Sequence, residues 1–390
     1  MDAPQMEFNN RIRAIAFYLP QFYPTAENDR WWGKGFTEWT NVGKARPLFK
    51  KHYQPHLPAD LGFYDLRLAE TREAQAELAR EHGIHGFCYY HYWFNGRRLL
   101  ERPFDNVLAS GKPDFPFCLC WANESWTKAW DGCGDYLIEQ QYSELDDRRH
   151  MRWLVKAFDD KRYIRIDGKP LFLVYRASDL PDSLKTTTIW REEAKKSGVG
   201  EIFLAAVESN FPEERRDPTK LGFDAAVEFQ PDWFNLGQPL RRGTLWDLSR
   251  KLRLSSRAYS DHDVFAYSTM VKRMLQKETP SYLRFPCVTP SWDNSARRKR
   301  KATILVGSTP ELYREWLDAL LRKIQARPVE QRLVFVTAWN EWAEGNHLEP
   351  DLMFGRAYLE ATKQAILANQ GETPGIMEET CLRAAAAKSL

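Results

Sequence analysis

Two glutamates near the carboxyl-terminal end of the 390-residue chain, Glu341 and Glu344, could carry out acid–base chemistry. They lie three positions apart in the segment WNEWAEG, whose tryptophans argue against a solvent-exposed helix face. On a helical or turn backbone, this spacing places the two Cβ atoms about 5–6 Å apart. The catalytic carboxyl groups of retaining glycosidases are about 5–5.5 Å apart. The pair is therefore predicted to have separated pKa values, with one group acting as base or nucleophile and the other as acid.

Aromatic, amide and acidic side chains recur directly after five of the predicted strands. Rings of this kind stack on the apolar faces of sugars, and carboxylates and amides bind sugar hydroxyls. The pattern predicts a carbohydrate-binding cleft, although tryptophans at strand ends could instead close the mouth of a barrel. The predicted substrate-contacting residues are Tyr18, Gln21, Glu38, Trp39, Tyr90, His91, Tyr92, Trp121, Asn123, Glu124, Trp126, Trp292, Asp293, Asn294, Trp339, Asn340 and Trp342.

Three of these residues have alternative interpretations. Glu124 follows Asn123, an arrangement common for the acid/base of glycosidases, but we expect it to bind a hydroxyl group or a neighbouring arginine. Glu38 is interpreted in the same way. His91 lies among four aromatic residues and is either a hydrogen-bond partner of a sugar hydroxyl or a structural histidine.

Eight short apolar runs must position these side chains. Each run is nearly continuous rather than alternating, as in parallel strands that are buried on both faces. The runs occupy residues 14–18, 86–93, 117–121, 171–175, 202–207, 225–229, 285–289 and 333–339. Amphipathic stretches between them predict helices over residues 66–82, 145–158, 184–196, 264–277, 312–327 and 358–368.

This alternation predicts an α/β fold, namely a (β/α)8 TIM barrel in a single domain. An open, doubly wound sheet is the alternative, but the first run continues into Leu19-Pro20-Gln21 and lacks the glycine-rich turn of dinucleotide-binding folds. The segment 208–222 contains two prolines and is expected to lack a full helix. In a TIM barrel the active site lies at the carboxyl ends of the strands, where the predicted residues collect.

Composition argues against several classes of protein. Lys and Arg number 56 against 53 Asp and Glu, and the net charge of +3 is too small for a dedicated nucleic-acid-binding protein. Aromatic residues make up 14% of the chain, which is too many for a disordered protein. The first residues lack a signal-peptide pattern, and no apolar stretch approaches the length of a transmembrane helix. We therefore expect a cytoplasmic protein without a transmembrane segment.

No metal site and no cofactor are expected. The six cysteines form no CxxC pair, and the chain has no HxH, no HExxH and no convincing DxD motif at a strand end. The basic run Arg297–Lys301 is either a solvated loop or, through Arg297 and Arg298, a contact for an anionic group of the ligand. A second basic stretch over residues 241–257 could share that face, and attachment to an anionic membrane is conceivable.

The chain carries a series of ordered motifs, namely FYLPQF at 17–22, GFTEW at 35–39, WANE at 121–124, WDG at 130–132, WDN at 292–294 with Arg297 and Arg298, and WNEWAEG at 339–345. They resemble the motifs of the WbsX-like proteins, which are often encoded with bacterial O-antigen and other surface-polysaccharide genes. These proteins look related to the glycoside hydrolase family 99 endo-α-mannosidases and endo-α-mannanases. The resemblance covers about residues 12–370 and implies a family-99-like barrel over residues 10–370. The remaining tail over 371–390, with alanines at 384–387, is expected to be loosely attached.

The resemblance also implies a mechanism without a metal or an enzyme nucleophile. Glu341 would be the general base that deprotonates the sugar's own 2-hydroxyl, which then attacks C1 to form a 1,2-anhydro sugar. Glu344 would be the general acid for the leaving oxygen, and water would reopen the ring with net retention. The mannosidases typically have His between Trp and Glu, where this chain has Ala343, so a mannosidase substrate is not implied.

We therefore expect a retaining, endo-acting glycoside hydrolase whose partner is an oligosaccharide or polysaccharide, such as a bacterial surface polysaccharide. A glycosyltransferase of polysaccharide biosynthesis is the first alternative, and the missing nucleotide-binding features argue against it. A non-catalytic carbohydrate-binding barrel is the second alternative. Such a protein would keep the aromatic residues but would not need both Glu341 and Glu344.

Overall fold

The computed structural model describes residues 12–127, 136–241, 243–252 and 256–370. Eight parallel strands surround the core, and each corresponds to one of the eight predicted apolar runs. Their side chains are almost all buried because helices and loops cover the outside of the sheet. The strands are β1 (Arg13–Tyr18), β2 (Ile84–Phe94), β3 (Phe117–Trp121), β4 (Lys169–Val174), β5 (Phe203–Glu208), β6 (Ala225–Glu228), β7 (Arg284–Phe285 and Cys287–Val288) and β8 (Leu333–Val336).

The sheet closes on itself through a divided strand. Each of β1 to β6 pairs in parallel with the next strand in the sequence, and β1 also pairs with β8. The first segment of β7 pairs with β6 and the second pairs with β8. Between the two segments lies Pro286, which has no N–H group to donate to a ladder. These pairings confirm the predicted (β/α)8 barrel.

One close backbone approach fixes the path of β2. Gly86 lies so near the preceding edge of β3 that a Cβ atom at this position would be 2.6 Å from the carbonyl oxygen of Pro116. Only glycine fits there without moving the backbone. The side chains that follow Gly86 therefore keep their register toward the carboxyl end of the barrel.

Helices fill most of the connections between strands. All six predicted helices have the expected position to within about three residues at each end. The helices are α1 (Ala26–Trp32), α2 (Glu38–Lys44), α3 (Ala69–Glu81), α4 (Arg102–Ser110), α5 (Glu144–Phe158), α6 (Ser183–Lys196), α7 (Thr244–Lys251), α8 (Ala258–Asp261), α9 (Tyr267–Gln276), α10 (Pro310–Ile324) and α11 (Ala357–Ala368).

The helix predicted over residues 264–277 is wrong in its first turn. Residues Asp263–Ala266 form a short strand that pairs in parallel with Thr303–Val306, and α9 begins only at Tyr267. The β-branched and aromatic side chains of Val264 and Phe265 suit this added strand. The segment 208–222 contains two 3₁₀ turns and no α-helix, as predicted.

Two further expectations concern the ends and the surface of the chain. The predicted tail over 371–390 and the motif residues 130–132 lie outside the described residues. Among the helices that are described, none is both long enough and apolar enough to cross a membrane.

Candidate active site

The two predicted catalytic glutamates lie on a tight hairpin directly after β8. Asn340–Glu341 pairs in antiparallel fashion with Asn346–His347, and a 3₁₀ turn over Trp342–Glu344 joins the two short strands. Gly345 ends the turn with a φ of 54°, a backbone conformation that glycine adopts without strain. This hairpin, residues 340–347, brings both carboxylates to the carboxyl end of the barrel, where TIM-barrel active sites lie.

The loop that follows β7 holds the hairpin 340–347 in place. The backbone N–H of Asp293 donates to the carbonyl oxygen of Glu344 at 2.6 Å, and the hydroxyl of Ser291 donates to the carbonyl oxygen of Gly345. A Cβ atom at Gly345 would lie only 3.1 Å from the Asp293 side chain and 3.2 Å from His56 Nε2. The hairpin therefore packs against this loop with almost no free space.

Asp293 is itself fixed from a third loop. Its Oδ2 accepts a hydrogen bond from Gln54 Nε2 at 2.9 Å and lies 2.6 Å from His52 Nε2. Burial alone would raise the pKa of Asp293, but His52 and the hydrogen bond from Ser295 outweigh burial and lower the pKa, so the carboxylate stays charged. The predicted role of Asp293 in substrate binding is untested, whereas its contacts give it a clear part in positioning the hairpin.

Arg297 is the centre of a cluster of three carboxylates. Its guanidinium lies 2.9 Å from Glu38, 3.1 Å from Glu341 and 2.8 Å from Glu344. Burial opposes the charge of this group, but the three carboxylates outweigh burial and raise the pKa of Arg297 further. The side chain therefore does not lie in a solvated loop. It is used within the site, whereas Arg298 next to it is exposed.

The charge of this cluster favours a bound proton. One guanidinium faces three carboxylates, so the fully ionised cluster would carry two uncompensated negative charges in a buried place. Burial raises the pKa of Glu341 to about 8, with Arg297 opposing and the other two carboxylates adding to the shift. Burial also raises the pKa of Glu344. The pair should therefore titrate together and hold a proton near neutral pH, as a catalytic acid and base require.

Two predicted tyrosines and one unpredicted tyrosine lie within the field of these carboxylates. Burial, followed by the charge of Glu341, raises the pKa of Tyr90 and of Tyr92 well above its usual value. Burial, followed by the charges of Glu124 and Glu344, does the same for Tyr175. All three phenols therefore remain protonated and available as hydrogen-bond donors. Tyr175 ends the fourth apolar run, and its position at a strand end was the signal that could have identified it.

Two pairs of aromatic rings include residues close to the cluster. Trp39 follows Glu38 at the start of α2, and its ring centroid lies 5.6 Å from that of Trp342. The ring of Tyr92 lies 5.1 Å from that of Trp126. Trp342 and Tyr92 are buried, whereas Trp39 and Trp126 are only partly buried, so the faces of the latter two can still meet a ligand.

Several other predicted residues are buried and bonded within the protein. Tyr18 donates to Gln75 at 2.7 Å, and the indole N–H of Trp121 donates to the carbonyl oxygen of Trp93 at 3.1 Å. Trp339 is fully buried inside the barrel. Their positions are those of core residues that shape the site, and direct contact with substrate stays a prediction for them.

The predicted asparagines bind backbone groups. Asn340 exchanges two hydrogen bonds with the backbone of Leu19, which ties the hairpin to the end of β1. Asn123 makes the same double contact with the backbone of Arg176. Asn294 accepts from the N–H of Thr303 at 2.9 Å. These amides fix loops, and their predicted contact with substrate is untested.

The remaining predicted residues lie at different depths. His91 is buried, stacks on Trp153 and lies 3.0 Å from His150, in agreement with the structural alternative. Trp292 is buried beside Trp233, and within the described residues its indole N–H has no hydrogen-bond partner. Gln21 is partly buried and accepts a backbone hydrogen bond from Glu38.

Glu124 lies in a second arginine cluster. Its carboxylate is 3.4 Å from Arg176, and its side chain is 42% exposed. Arg176 also contacts Asp179 and Glu214, both at 2.9 Å. The arginine that we expected as a partner of Glu124 is thus present in the structure. The structure leaves the expected contact with a hydroxyl untested.

Sequence reasoning missed one buried carboxylate behind the hairpin. Glu349 accepts hydrogen bonds from Tyr64 at 2.8 Å and from Gln75 and Trp342 at 2.6 Å. Burial raises the pKa of Glu349 to about 7 even though these donors oppose the shift. Glu349 orients Trp342 and so supports the turn that carries Glu344. Its place eight residues after Glu341 gives no periodic signal.

Three side chains among the described residues could hold a cation. They are His56, His347 and Asp351, which are all buried, and their nearest ligand atoms lie within 4.8 Å of one another. The two imidazoles lie 2.9 Å apart, and His347 also lies 2.9 Å from the carbonyl oxygen of Glu349 through its other nitrogen. They line a cavity of about 210 Å³ whose walls do not include Glu341 or Glu344.

Comparison with solved structures identifies barrels of the same architecture. A protein described as a glycoside hydrolase-like protein is 16% identical, with a TM-score of 0.57, and the match covers 94% of this chain and 97% of the other. The GH99 endo-α-mannosidase of Bacteroides thetaiotaomicron is 14% identical, with a TM-score of 0.54 and coverages of 92% and 97%. At these identities the likeness concerns the fold.

Comparison of sequences gives a closer relationship. The protein WxcX of Xanthomonas campestris pv. campestris (strain B100) is 44% identical over 369 residues, which are 94% of this chain and 51% of WxcX. The chain thus spans about half the length of this relative. The family model described as "Glycosyltransferase WbsX" matches residues 14–362. This match extends over most of the barrel and all of the hairpin 340–347, and the chain belongs to the WbsX family.

Proposed function

We propose that the protein is a retaining glycoside hydrolase that acts on a bacterial surface polysaccharide or a related glycan. The observation that carries the proposal is the buried cluster of Glu341 and Glu344 around Arg297 at the carboxyl end of the barrel. Hydrolysis of a glycosidic bond needs one carboxyl group that holds a proton and one that has lost it. Because three carboxylates surround one guanidinium, the cluster is expected to hold a proton on one carboxyl group and leave another ionised near neutral pH.

The aromatic surroundings support a sugar as the ligand. Trp39 and Trp126 keep partly exposed rings next to Trp342 and Tyr92, and such rings stack on the apolar faces of pyranoses. The phenols of Tyr90, Tyr92 and Tyr175 stay protonated and can donate to hydroxyl oxygens. An aromatic site with phenol donors and carboxylate acceptors suits a polyhydroxylated ligand better than an apolar one.

In the proposed mechanism Glu341 accepts the proton of the sugar's 2-hydroxyl while O2 attacks C1. Glu344 gives its proton to the leaving oxygen, and the resulting 1,2-anhydro sugar is then opened by water. Burial raises the pKa of both Glu341 and Glu344, so the substrate-free pair shares a proton. In this mechanism substrate binding must place that proton on Glu344, so that Glu341 is free to accept the proton of the 2-hydroxyl.

The decisive experiment measures cleavage of the host's own surface polysaccharide by purified protein in the absence of any nucleotide sugar. Appearance of new reducing ends supports the proposal. The matched control is the Glu341→Gln/Glu344→Gln double variant, which keeps the size of both side chains and removes both carboxylic acids. Equal product from the double variant would reject these two residues as the catalytic pair.

The role of the 2-hydroxyl has its own test. A substrate analogue that is 2-deoxy or 2-O-methyl at the sugar to be cleaved should still bind, because stacking on Trp39 and Trp126 does not involve O2. It should not be hydrolysed, because no oxygen is available to attack C1. Isolation of a covalent 2-fluoroglycosyl ester on Glu341 would instead establish an ordinary double displacement.

A glycosyltransferase is the second candidate, and the description of the family model favours it. The same purified protein is then supplied with an acceptor oligosaccharide and nucleotide sugars. Chain extension that requires the nucleotide sugar would replace the hydrolase proposal. Saturable sugar binding that survives in the Glu341→Gln/Glu344→Gln variant, with no turnover in either assay, would instead indicate a carbohydrate-binding barrel.

A further inference from the structure

Helix α7 presents an apolar face that the described part of the protein does not cover. Leu245, Leu248 and Leu252 are 81%, 55% and 60% exposed, and Trp246 is 39% exposed. The three leucines lie at positions i, i+3 and i+7, and the N–H of Leu252 continues the helical bonding by donating to the carbonyl oxygen of Leu248 at 3.0 Å. They therefore share one side of the helix. Exposed apolar side chains grouped in this way mark a contact surface.

The same segment is strongly basic. Residues 241–257 contain six lysines and arginines and one aspartate. Among those whose side chains are described, Arg241, Lys251 and Arg257 are exposed. Arg241 lies over the ring of Trp246 at 5.3 Å, so a positive charge and an indole are held together at the edge of the apolar face. This combination matches the amphipathic helices that lie in the headgroup region of membranes.

The helix lies at the same end of the barrel as the carboxylate cluster. The segment leaves the carboxyl end of β6 and returns as the strand Asp263–Ala266, with Leu240 donating to Val264 at 2.7 Å. That strand pairs with Thr303–Val306, whose first N–H bonds to the side chain of Asn294, three residues before Arg297. Contact through α7 would thus be made beside the mouth of the barrel.

We propose that α7 docks this protein onto the surface of an anionic phospholipid bilayer, with the carboxyl end of the barrel turned toward the membrane. Three leucines and a tryptophan enter the headgroup region, and the surrounding basic residues are attracted to negatively charged headgroups. Eight residues of helix are too small for the roughly 800 Å² that each partner buries in a typical stable protein interface. A membrane adds the charge attraction that this small apolar face needs.

The test uses the full chain and its co-flotation with vesicles. Vesicles of phosphatidylcholine and phosphatidylglycerol in a 2:1 ratio should bind the protein, and vesicles of phosphatidylcholine alone should bind it much less. Leu245→Asp/Leu248→Asp should lower the partition coefficient by about a hundredfold, because each lost leucine removes at least tenfold in affinity. The matched control is Leu184→Asp, an equally exposed leucine on α6, which should bind as the original protein does.

A second arm tests the charge contribution. Lys251→Glu/Arg257→Glu should reduce binding to the anionic vesicles and weaken its dependence on salt, whereas the exposed Lys220→Glu on another surface should change both little. Circular dichroism of every variant checks that the barrel is folded. These readouts are independent of enzymatic turnover, so the docking proposal and the proposed hydrolase function can fail separately.

Two outcomes would overturn the proposal. One is equal flotation of the original protein and Leu245→Asp/Leu248→Asp on anionic vesicles. The other is an original protein that does not bind vesicles but forms a dimer by light scattering, with the same two substitutions making it a monomer. The second result would assign the apolar face of α7 to contact between two copies of the chain.

Discussion

Two arginines at the carboxyl end of the barrel each contact three carboxylates. Arg297 lies 2.9, 3.1 and 2.8 Å from Glu38, Glu341 and Glu344. Arg176, which follows β4, lies 3.4, 2.9 and 2.9 Å from three others, namely Glu124, Asp179 and Glu214. The composition and distances of the two clusters are therefore nearly the same.

The clusters differ in their access to water. The carboxylate side chains around Arg297 are 5%, 9% and 12% exposed. In the Arg176 cluster Glu214 is buried, but Asp179 is 38% and Glu124 is 42% exposed. Burial raises the pKa of Glu124 as well, but the exposed side chains of Glu124 and Asp179 let water compensate more of the excess charge at the second cluster than at the first. Burial, more than the presence of an ion pair, therefore brings the pKa of a carboxyl group into the range that proton transfer requires.

The largest expected effect follows directly from this difference. Glu341→Gln and Glu344→Gln should each lower kcat by about 10²–10⁴-fold, because each removes a group that transfers a proton. Glu124→Gln, in the more exposed cluster, should lower kcat by less than about tenfold. Steady-state rates on the natural polysaccharide measure all three. A Glu124→Gln variant as impaired as the other two would place the catalytic chemistry in both clusters.

The two glutamates of the Arg297 cluster should differ from each other on an activated substrate. A leaving group such as dinitrophenolate needs little protonation, so Glu344→Gln should recover much of its lost rate while Glu341→Gln should not. Comparing kcat/KM for natural and activated substrates gives the ratio. Recovery by Glu341→Gln alone would exchange the acid and base roles.

A smaller effect is expected on the pH profile. Burial raises the pKa of both Glu341 and Glu344, and the charge of Arg297 opposes part of this shift. Arg297→Met should therefore raise both pKa values further. The acidic limb of the kcat/KM profile, where the base loses its proton, should then move to higher pH by about one unit or more. Arg176→Met should leave this limb in place. A matched shift in both variants would mean that the two arginines act through overall charge.

Substitutions at two glycines can separate the effect of packing at the hairpin 340–347 from the effect of backbone conformation. Gly345 and Gly355 have φ values of 54° and 53°, but a Cβ atom would have close neighbours only at Gly345. Gly355→Ala should cost about 1–2 kcal/mol for the left-handed conformation alone. Gly345→Ala should cost more and should also reduce activity. Urea denaturation measures both, and equal losses would show that the hairpin tolerates displacement from Asp293.

The smallest expected effect is that of a chelator. The carboxylates of the Arg297 cluster are paired with a guanidinium, and the proposed mechanism uses no metal ion, so treatment with EDTA should leave the rate unchanged. The control adds Mg²⁺ or Mn²⁺ back to the treated protein. Loss of activity that these ions restore would point to the group of His56, His347 and Asp351 and would favour a metal-dependent transferase.

The barrel could be predicted from the sequence because its strands are buried on both faces. Uninterrupted apolar runs such as 171–175 and 202–207 leave few other structures open to the chain. The extra strand at 263–266 could not be predicted in the same way. Its partner at 303–306 lies about 40 residues away, and the pairing of Val264 with Ile304 depends on how two loops meet.

The carboxylates of the candidate site could be predicted from the sequence, but the central role of Arg297 could not. The spacing of Glu341 and Glu344 and their position after β8 identified the pair. Arg297 is one of five consecutive basic residues, and nothing in the local sequence separates it from Arg298 or Lys299. Only the turn at Asn294–Ala296 directs one of these side chains inward to meet the glutamates.

Because β7 is divided at Pro286, we expect the barrel to open locally at this strand. The first segment of β7 pairs with β6 and the second pairs with β8, each over only two residues. We call this weakly paired part of the barrel the seam. Amide protons along this seam should exchange with deuterium sooner than those of β1 to β4, since local opening starts where cooperative pairing is shortest. The loop that carries Arg297 follows the second segment of β7, and the hairpin that carries Glu341 follows β8, the strand with which this segment pairs. Transient opening of the seam would therefore change the distance between the guanidinium and the two carboxylates without unfolding the rest of the molecule.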